Sequence, residues 1–234
     1  MGENPFELTL LKGDFYLKKL TKKFAVILLS MSLILPAFSV KAAPTPPPPP
    51  APQKQMSEMG YQLKFNFRRL WMENGIWTRS YIVSAEANLA DKQIVLTRLL
   101  KNQDDIGNEI KPFYGEQAGT KLSQLLREHI LIAGKVIEAA KANNQADLKK
   151  YNAAWYRNAD QIADFLSTAN PNWNKDVMKQ LLHAHLKMVT DSVLARLKKD
   201  WNGDIRAFDE GEIHLIKIAD VISDGIIRQF PQKF

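Results

Sequence analysis

From Met56 onward apolar residues recur every three to four positions, and no stretch alternates with the period of two that a half-buried strand requires. Turn signals arrive every 25 to 30 residues. This spacing predicts six helices. The first spans about Met56–Asn88, is closed by Leu89-Ala90, and leaves Asp91 to cap the second. The second runs from Lys92 to about Ile110, where Pro112 and Gly115 punctuate the chain. The third covers about Gln117–Ala142 and stops at Asn143-Asn144; the fourth covers about Gln145–Thr168 and stops at Asn170-Pro171-Asn172. The fifth runs about Lys175–Trp201, before Asn202-Gly203, and the sixth from near Asp204 to just before Pro231. Long helices joined by short polar turns are antiparallel neighbours, so the predicted fold is all-α: an up-and-down bundle of about six helices around a four-helix-like core.

Each predicted helix carries a polar residue inside its apolar stripe. On a 3.6-residue period the stripe of the first helix is Phe67, Leu70, Trp71, Asn74, Trp77, Thr78 and Tyr81, with Asn74 at its centre. The second places Asn102 among Val95, Leu99, Ile106 and Ile110, and the third places His129 among Leu122, Leu125, Leu126, Ile132 and Val136. Asn158 lies between Trp155 and Ile162 in the fourth, His185 between Leu182 and Met188 in the fifth, and Glu212 between Phe208 and Leu215 in the sixth. An unpaired buried polar group costs about 1–3 kcal/mol, so six strays in one domain must meet each other or a ligand. Two readings follow: a hydrogen-bonded network that fixes helix register, or a polar pocket for a small molecule or metal ion. The candidate ligand-binding set is Asn74, Asn102, Asp105, His129, Asn158 and His185. Charged residues border the stripes, and Arg79 and Arg98 are expected to pair with Asp105 or Asp160. Five tryptophans at helical spacing, Trp71, Trp77, Trp155, Trp173 and Trp201, read as core rather than as stacking platforms.

The residues before Met56 change the picture of where the bundle works. A basic segment, Leu17–Phe24, precedes an uncharged apolar run of about 14 residues, Ala25–Phe38, and a small-residue exit at Val40-Lys41-Ala42. This is the pattern of a secretory signal peptide, residues 1–42, with an uncleaved anchor as the alternative; the run is shorter than the roughly 20 residues of a spanning helix. The 16 residues ahead of Leu17 are long for the basic segment and point to a start codon downstream of Met1. Residues 43–55 form a proline-rich linker. Ala43–Pro52 holds seven of the 12 prolines and predicts a polyproline II spacer of roughly 30 Å. The bundle domain is residues 56–234. The expected localisation is secreted or cell-envelope, periplasmic included, with membrane contact only through the signal segment if it is retained.

Of the formal net charge of +7, six basic and three acidic residues precede Ala43; the 26 basic and 22 acidic residues that remain are mixed in sign. That balance argues against nucleic acid as the main partner, because phosphate binding needs clustered cations. Without cysteine there is no disulfide, thiolate metal site or cysteine nucleophile. The Glu-x-x-His pairs of a di-iron bundle are absent, as is His-Glu-x-x-His. His183 and His185 sit about 200° apart on a helix and cannot chelate one ion together. There is no glycine-rich phosphate loop and no Gly-x-Ser-x-Gly elbow.

A set of motifs carries a resemblance. Trp71-x5-Trp77-Thr78-Arg79, Arg98–Gly107 (RLLKNQDDIG), Lys111–Gly115 (KPFYG), Leu125–Ile130 (LLREHI), Asn158-Ala159-Asp160, Asn170–Trp173 (NPNW), His185-Leu186 and Gln229–Pro231 (QFP) together resemble an uncharacterised family of bacterial, often exported, all-helical proteins. The resemblance covers nearly all of residues 65–234 and implies no established activity. Some members carry the names acetylglutamate kinase or glycosyltransferase, which require nucleotide-binding α/β domains that this helical pattern lacks. Members of that family often have His where this chain has Asn74 and Glu where it has Ser192. With His129 and His185, a His/His/His/Glu set would resemble a metal site, so the resemblance implies weak metal binding, or none, here. The expected function is therefore an exported binding or structural module for an unknown small ligand or envelope component. The alternative is a metal-binding protein or metal-dependent enzyme using a divalent metal at His129 and His185 with nearby carboxylates. Surface adhesion through exposed basic residues is a third reading.

Overall fold

In four of the five helices a short polar side chain closes the first turn. Ser57, Asn144, Asn174 and Asp200 accept hydrogen bonds from the backbone N–H groups of Gly60, Asp147, Val177 and Gly203. The computed structural model describes residues 56–234, so the signal segment and proline-rich linker lie outside the described residues. The helices are α1 (Glu58–Glu86), α2 (Lys92–Lys141), α3 (Gln145–Ala169), α4 (Lys175–Leu197) and α5 (Trp201–Gln229), followed by a single 3₁₀ turn at Pro231–Lys233. Asp91 does not cap α2 as expected. Its own backbone is already helical and its carboxylate makes no capping bond. Three helices end in a left-handed residue, Asn88, Asn143 and Lys199. The next N–H then reaches back five residues, Leu89 to Ser84, Asn144 to Ala139 and Asp200 to Ala195.

The 50-residue α2 contains the second and third predicted helices, folded back on one another at Gly115. Gly115 has φ 86° and ψ 168°, a conformation essentially reserved for glycine, so helical hydrogen bonding reverses direction there. The two arms then run antiparallel. Arg127 donates to the Leu100 carbonyl and to Asp104, and Lys92 pairs with Glu138 near the far ends. Between them Gly107 and Gly119 pack so closely that a Cβ on either would stand about 2.5 Å from the other's carbonyl oxygen.

α1 packs on α2 and α5, α2 on α3, α3 on α4 and α4 on α5, which closes the helices into a ring. The bundle is all-helical and up-and-down, and its six helical rods are the six predicted ones. The α4–α5 boundary differs from the expectation: α4 stops at Leu197 and α5 starts at Trp201, because Asp200 closes the turn onto Gly203. The main core joins Phe67, Leu70 and Trp71 of α1 to Ile106, Leu126, Ile162, Met178, Leu186, Ile218 and Ile222. A second cluster gathers Tyr81, Ile82 and Ala85 with Leu99, Ile130, Ile137 and Val193 where α1 ends and α2 begins. At the other end Tyr114 and Phe113 meet Trp173, Phe230 and Phe234. Trp201 is not core: it is 54% exposed, with the Arg196 guanidinium 5.5 Å from its ring centre.

Gly115→Ala tests the fold-back. A Cβ there meets no neighbour, so the cost is backbone strain alone. The urea midpoint should fall by the equivalent of about 1–3 kcal/mol with helical circular dichroism unchanged.

Candidate functional site

The polar residues buried in the stripes do not gather in one place. On α1 and α2, Asn74 donates to Gln103 at 3.3 Å, Gln103 donates to Asn102 at 3.1 Å, and Asn102 donates to the Leu70 carbonyl at 3.0 Å. On α2 and α3, His129 Nδ1 lies 2.7 Å from Asn158 Oδ1, while the Asn158 amide nitrogen donates to the Leu125 carbonyl. With that nitrogen committed, Oδ1 faces the ring and accepts from Nδ1–H. Burial holds the His129 pKa down from 6.5 to about 4, although the Asn158 bond works against the fall. Both groups therefore act as register clamps across one helix–helix seam each. Asp105 stands apart from both: it is half-buried on the outer face of α2 and pairs with Lys101 one turn earlier.

His185 is left without such a clamp. The residue is only partly covered, yet its Nδ1 is shut off from solvent and has no hydrogen-bond partner. Burial, followed by the neighbouring His129 and His214, pushes its pKa from 6.5 down to about 3, so the ring is neutral across the physiological range. His214 lies parallel to it at 6.5 Å and donates Nε2–H to the Leu181 carbonyl. His185 lines a cleft of about 40 Å³ between α1, α4 and α5, whose walls include Thr78, Met188, Ser192, Phe208 and Glu212. Thr78 Oγ1 is also buried without a partner. Thr97, Thr168 and Thr190 each bond a carbonyl one turn back, so the Thr78 hydroxyl stands out. Glu212 makes no ion pair among the described residues.

One end of this cleft is built on Asp204, which is 1% exposed in the first turn of α5. Arg79 of α1 grips it with two bonds of 2.9 Å; Arg196 of α4 adds one at 2.9 Å and Ser192 one at 2.7 Å. Arg196 also donates to Glu86 at the end of α1. Burial opposes ionisation of Asp204, but the bonds from Arg79, Ser192 and Arg196 outweigh it and hold its carboxyl below the ordinary value of 3.8. The expected partners of Arg79 and Arg98 are corrected. Arg79 binds Asp204 and Arg98 binds Glu73, while Asp160 is taken by Lys179 and His183. The register of α1 turns Arg79 toward α5 rather than toward α2 or α3.

Gln103 and Asp204 were missed in the sequence, although both had a signal. Gln103 continues the stripe from Leu99 to Ile106, and Asp204 extends the sixth stripe one turn before Phe208. Their polarity, and for Asp204 its place beside a turn, hid them. Among the described residues no three His, Asp or Glu side chains are gathered as a metal ion requires. Of the positions of the metal-like set, Asn74 is engaged by Gln103, His129 by Asn158 and Ser192 by Asp204, while His185 Nδ1 has no partner. Comparison of the chain with protein-family models, with curated proteins and with solved structures returns no match.

Asp204→Ala leaves two guanidinium groups around an uncompensated site and should cost about 3–5 kcal/mol in urea unfolding. Both His129 and His185 resist protonation when folded, so the unfolded chain takes up protons first. Stability is complete above pH 6.5 and should decline toward pH 4, by at most about 1.4 kcal/mol per pH unit for each histidine. His185→Gln should reduce that slope, as read from urea midpoints at several pH values.

Proposed function

We propose that this domain is an exported binding module whose ligand enters the cleft between α1, α4 and α5. The observation that carries the reading is the pair of buried, unpartnered polar atoms, His185 Nδ1 and Thr78 Oγ1, on residues that line the same cleft. Trp71 Nε1, Trp155 Nε1 and Arg98 Nη1 are likewise buried without a partner, but Thr78 and His185 are the two that line one cleft together, and each such group costs about 1–3 kcal/mol unless something bonds it. Gly211 supports the same reading. It faces the cleft from mid-α5, where a glycine costs roughly 0.5–1 kcal/mol of helix stability, yet a Cβ there would meet nothing within 4 Å. No close packing demands it; its effect is to leave the cleft open. The almost entirely apolar walls suit the apolar part of a small molecule. Export follows from the basic and apolar segments before Ala43.

A fragment screen followed by amide NMR shifts tests the site. Bound fragments should perturb Thr78, His185, Met188 and Phe208. Gly211→Leu, whose Cβ meets no neighbour and whose side chain points its bulk at the cleft, should abolish those shifts while keeping or slightly raising the melting temperature. Shifts confined to the larger groove of about 300 Å³ over Val136, Leu148, Trp155 and Val193, between α2, α3 and α4, would overturn the assignment. The metal reading is tested on the same sample: stoichiometric metal by elemental analysis, with a lower melting temperature after chelation, would displace the small-molecule site in favour of His129 and His185.

A further inference from the structure

A second concavity, apart from the cleft, lies between α2, α3 and α4. α3 packs on both of the other helices, but α2 and α4 are not close neighbours in the ring, so a groove is left between them. Its walls are short apolar side chains, Ala133, Val136 and Ala140 from α2 and Val189 and Val193 from α4, with the indole of Trp155 from α3. Side chains of that length do not close the gap. About 300 Å³ stays open, against about 40 Å³ in the cleft, which brings the groove into the range of small-molecule sites. Leu194 at its edge is 40% exposed, while Val193 beside it is buried. Trp155 Nε1 is shut off from solvent, so the polar side chains on offer are Gln145, Lys149 and Asn152 in the first turns of α3, and Thr190, whose hydroxyl is spent on the Leu186 carbonyl. Lys149 is the one charged residue on the lining. It is exposed and makes no ion pair among the described residues.

We propose that this groove is a second binding site, independent of the cleft, and that it takes an unbranched aliphatic carboxylate, with the chain in the groove and the head group beside Lys149. Apolar surface left in water is unfavourable in proportion to its area, and an alkyl chain covers it without needing a hydrogen-bond partner. The space equals that of about ten waters, which is room for a chain of about eight to ten carbons. Charge then chooses the head group. A carboxylate meets an unpaired cation and no acidic residue on the lining, whereas an alkylammonium would meet a like charge. A sugar would find its polar partners at one edge and none along the walls. The two contributions differ in size. Each buried methylene is worth about two- to fourfold in affinity, and an exposed ion pair about one- to fivefold in total. Chain length therefore sets how tightly the ligand binds, and Lys149 sets the preferred sign of charge.

The test is titration of the full-length protein with sodium hexanoate, octanoate and decanoate below their micelle concentrations, followed by calorimetry and amide NMR. Octylammonium chloride is the cationic probe, and sodium chloride matches ionic strength throughout. Octanoate should bind saturably and shift Val136, Leu148, Trp155 and Val193. Affinity should rise about two- to fourfold per methylene along the series, and octylammonium should bind more weakly than octanoate. Lys149→Glu should weaken octanoate about three- to tenfold and favour octylammonium, with the melting temperature unchanged. No saturable binding of octanoate, affinity that does not grow with chain length, or undiminished binding by Lys149→Glu would overturn the proposal. Gly211→Leu keeps the two sites apart. Octanoate bound equally by Gly211→Leu and wild type supports the groove and leaves the cleft to the fragment screen. Octanoate lost in Gly211→Leu, with wild-type shifts at Thr78 and Phe208, puts the chain in the cleft and overturns the groove alone.

Discussion

The buried carboxylate of Asp204 is the constraint on which this end of the bundle depends. A charge that is 1% exposed is tolerable only when its hydrogen-bonding capacity is met, and here Arg79, Arg196 and Ser192 meet it from α1 and α4. The first turn of α5 adds its positive end to the same carboxylate. Because the bonds are bidentate on one side and come from three side chains in all, they fix the mutual register of three helices and not merely their proximity. The cleft is a consequence. Its walls are the stretches of α1, α4 and α5 beside the hub, where Gly75, Gly211 and Ala207 present little side chain to fill the space between the rods.

The same economy runs through the rest of the ring. Amide–amide bonds hold the α1–α2 seam at Asn74, Gln103 and Asn102, and an imidazole–amide bond holds the α2–α3 seam at His129 and Asn158. Nearer the surface, Asp160 joins α3 to α4 through Lys179 and His183, and Asp220 joins α5 to α1 through Arg68. The far end is closed differently, by aromatic packing around Tyr114, Trp173 and Phe230, with the Tyr114 hydroxyl bonded to Gln229 and Asn170. All five seams of the ring carry direct polar clamps between side chains, the α4–α5 seam through Arg196, Ser192 and Asp204. Along the cleft the groups of α4 and α5 that could have formed another, His185 and Glu212, are not joined to each other, and this is what gives the cleft its chemical character.

The sequence by itself determined the helical class, the six rods and their order, because apolar periodicity and turn residues are local properties that the backbone reads directly. It also placed one polar residue in each stripe, since burial of a helix face follows from its period. Gly115 marked the reversal between the two arms of α2. Tertiary structure decided which polar residues meet. Asn74, His129 and Ser192 lie on compatible faces of their helices, yet each answers to a different neighbour and His185 to none, because pairing depends on the rotation and axial offset of one rod against another. A shift of one residue along a helix turns a side chain by about 100°. For that reason Arg79 reaches Asp204, 125 positions away, and not Asp105 or Asp160. It is also why Thr78, His185 and Glu212, distant in sequence, come to line one cleft only when α1, α4 and α5 pack together.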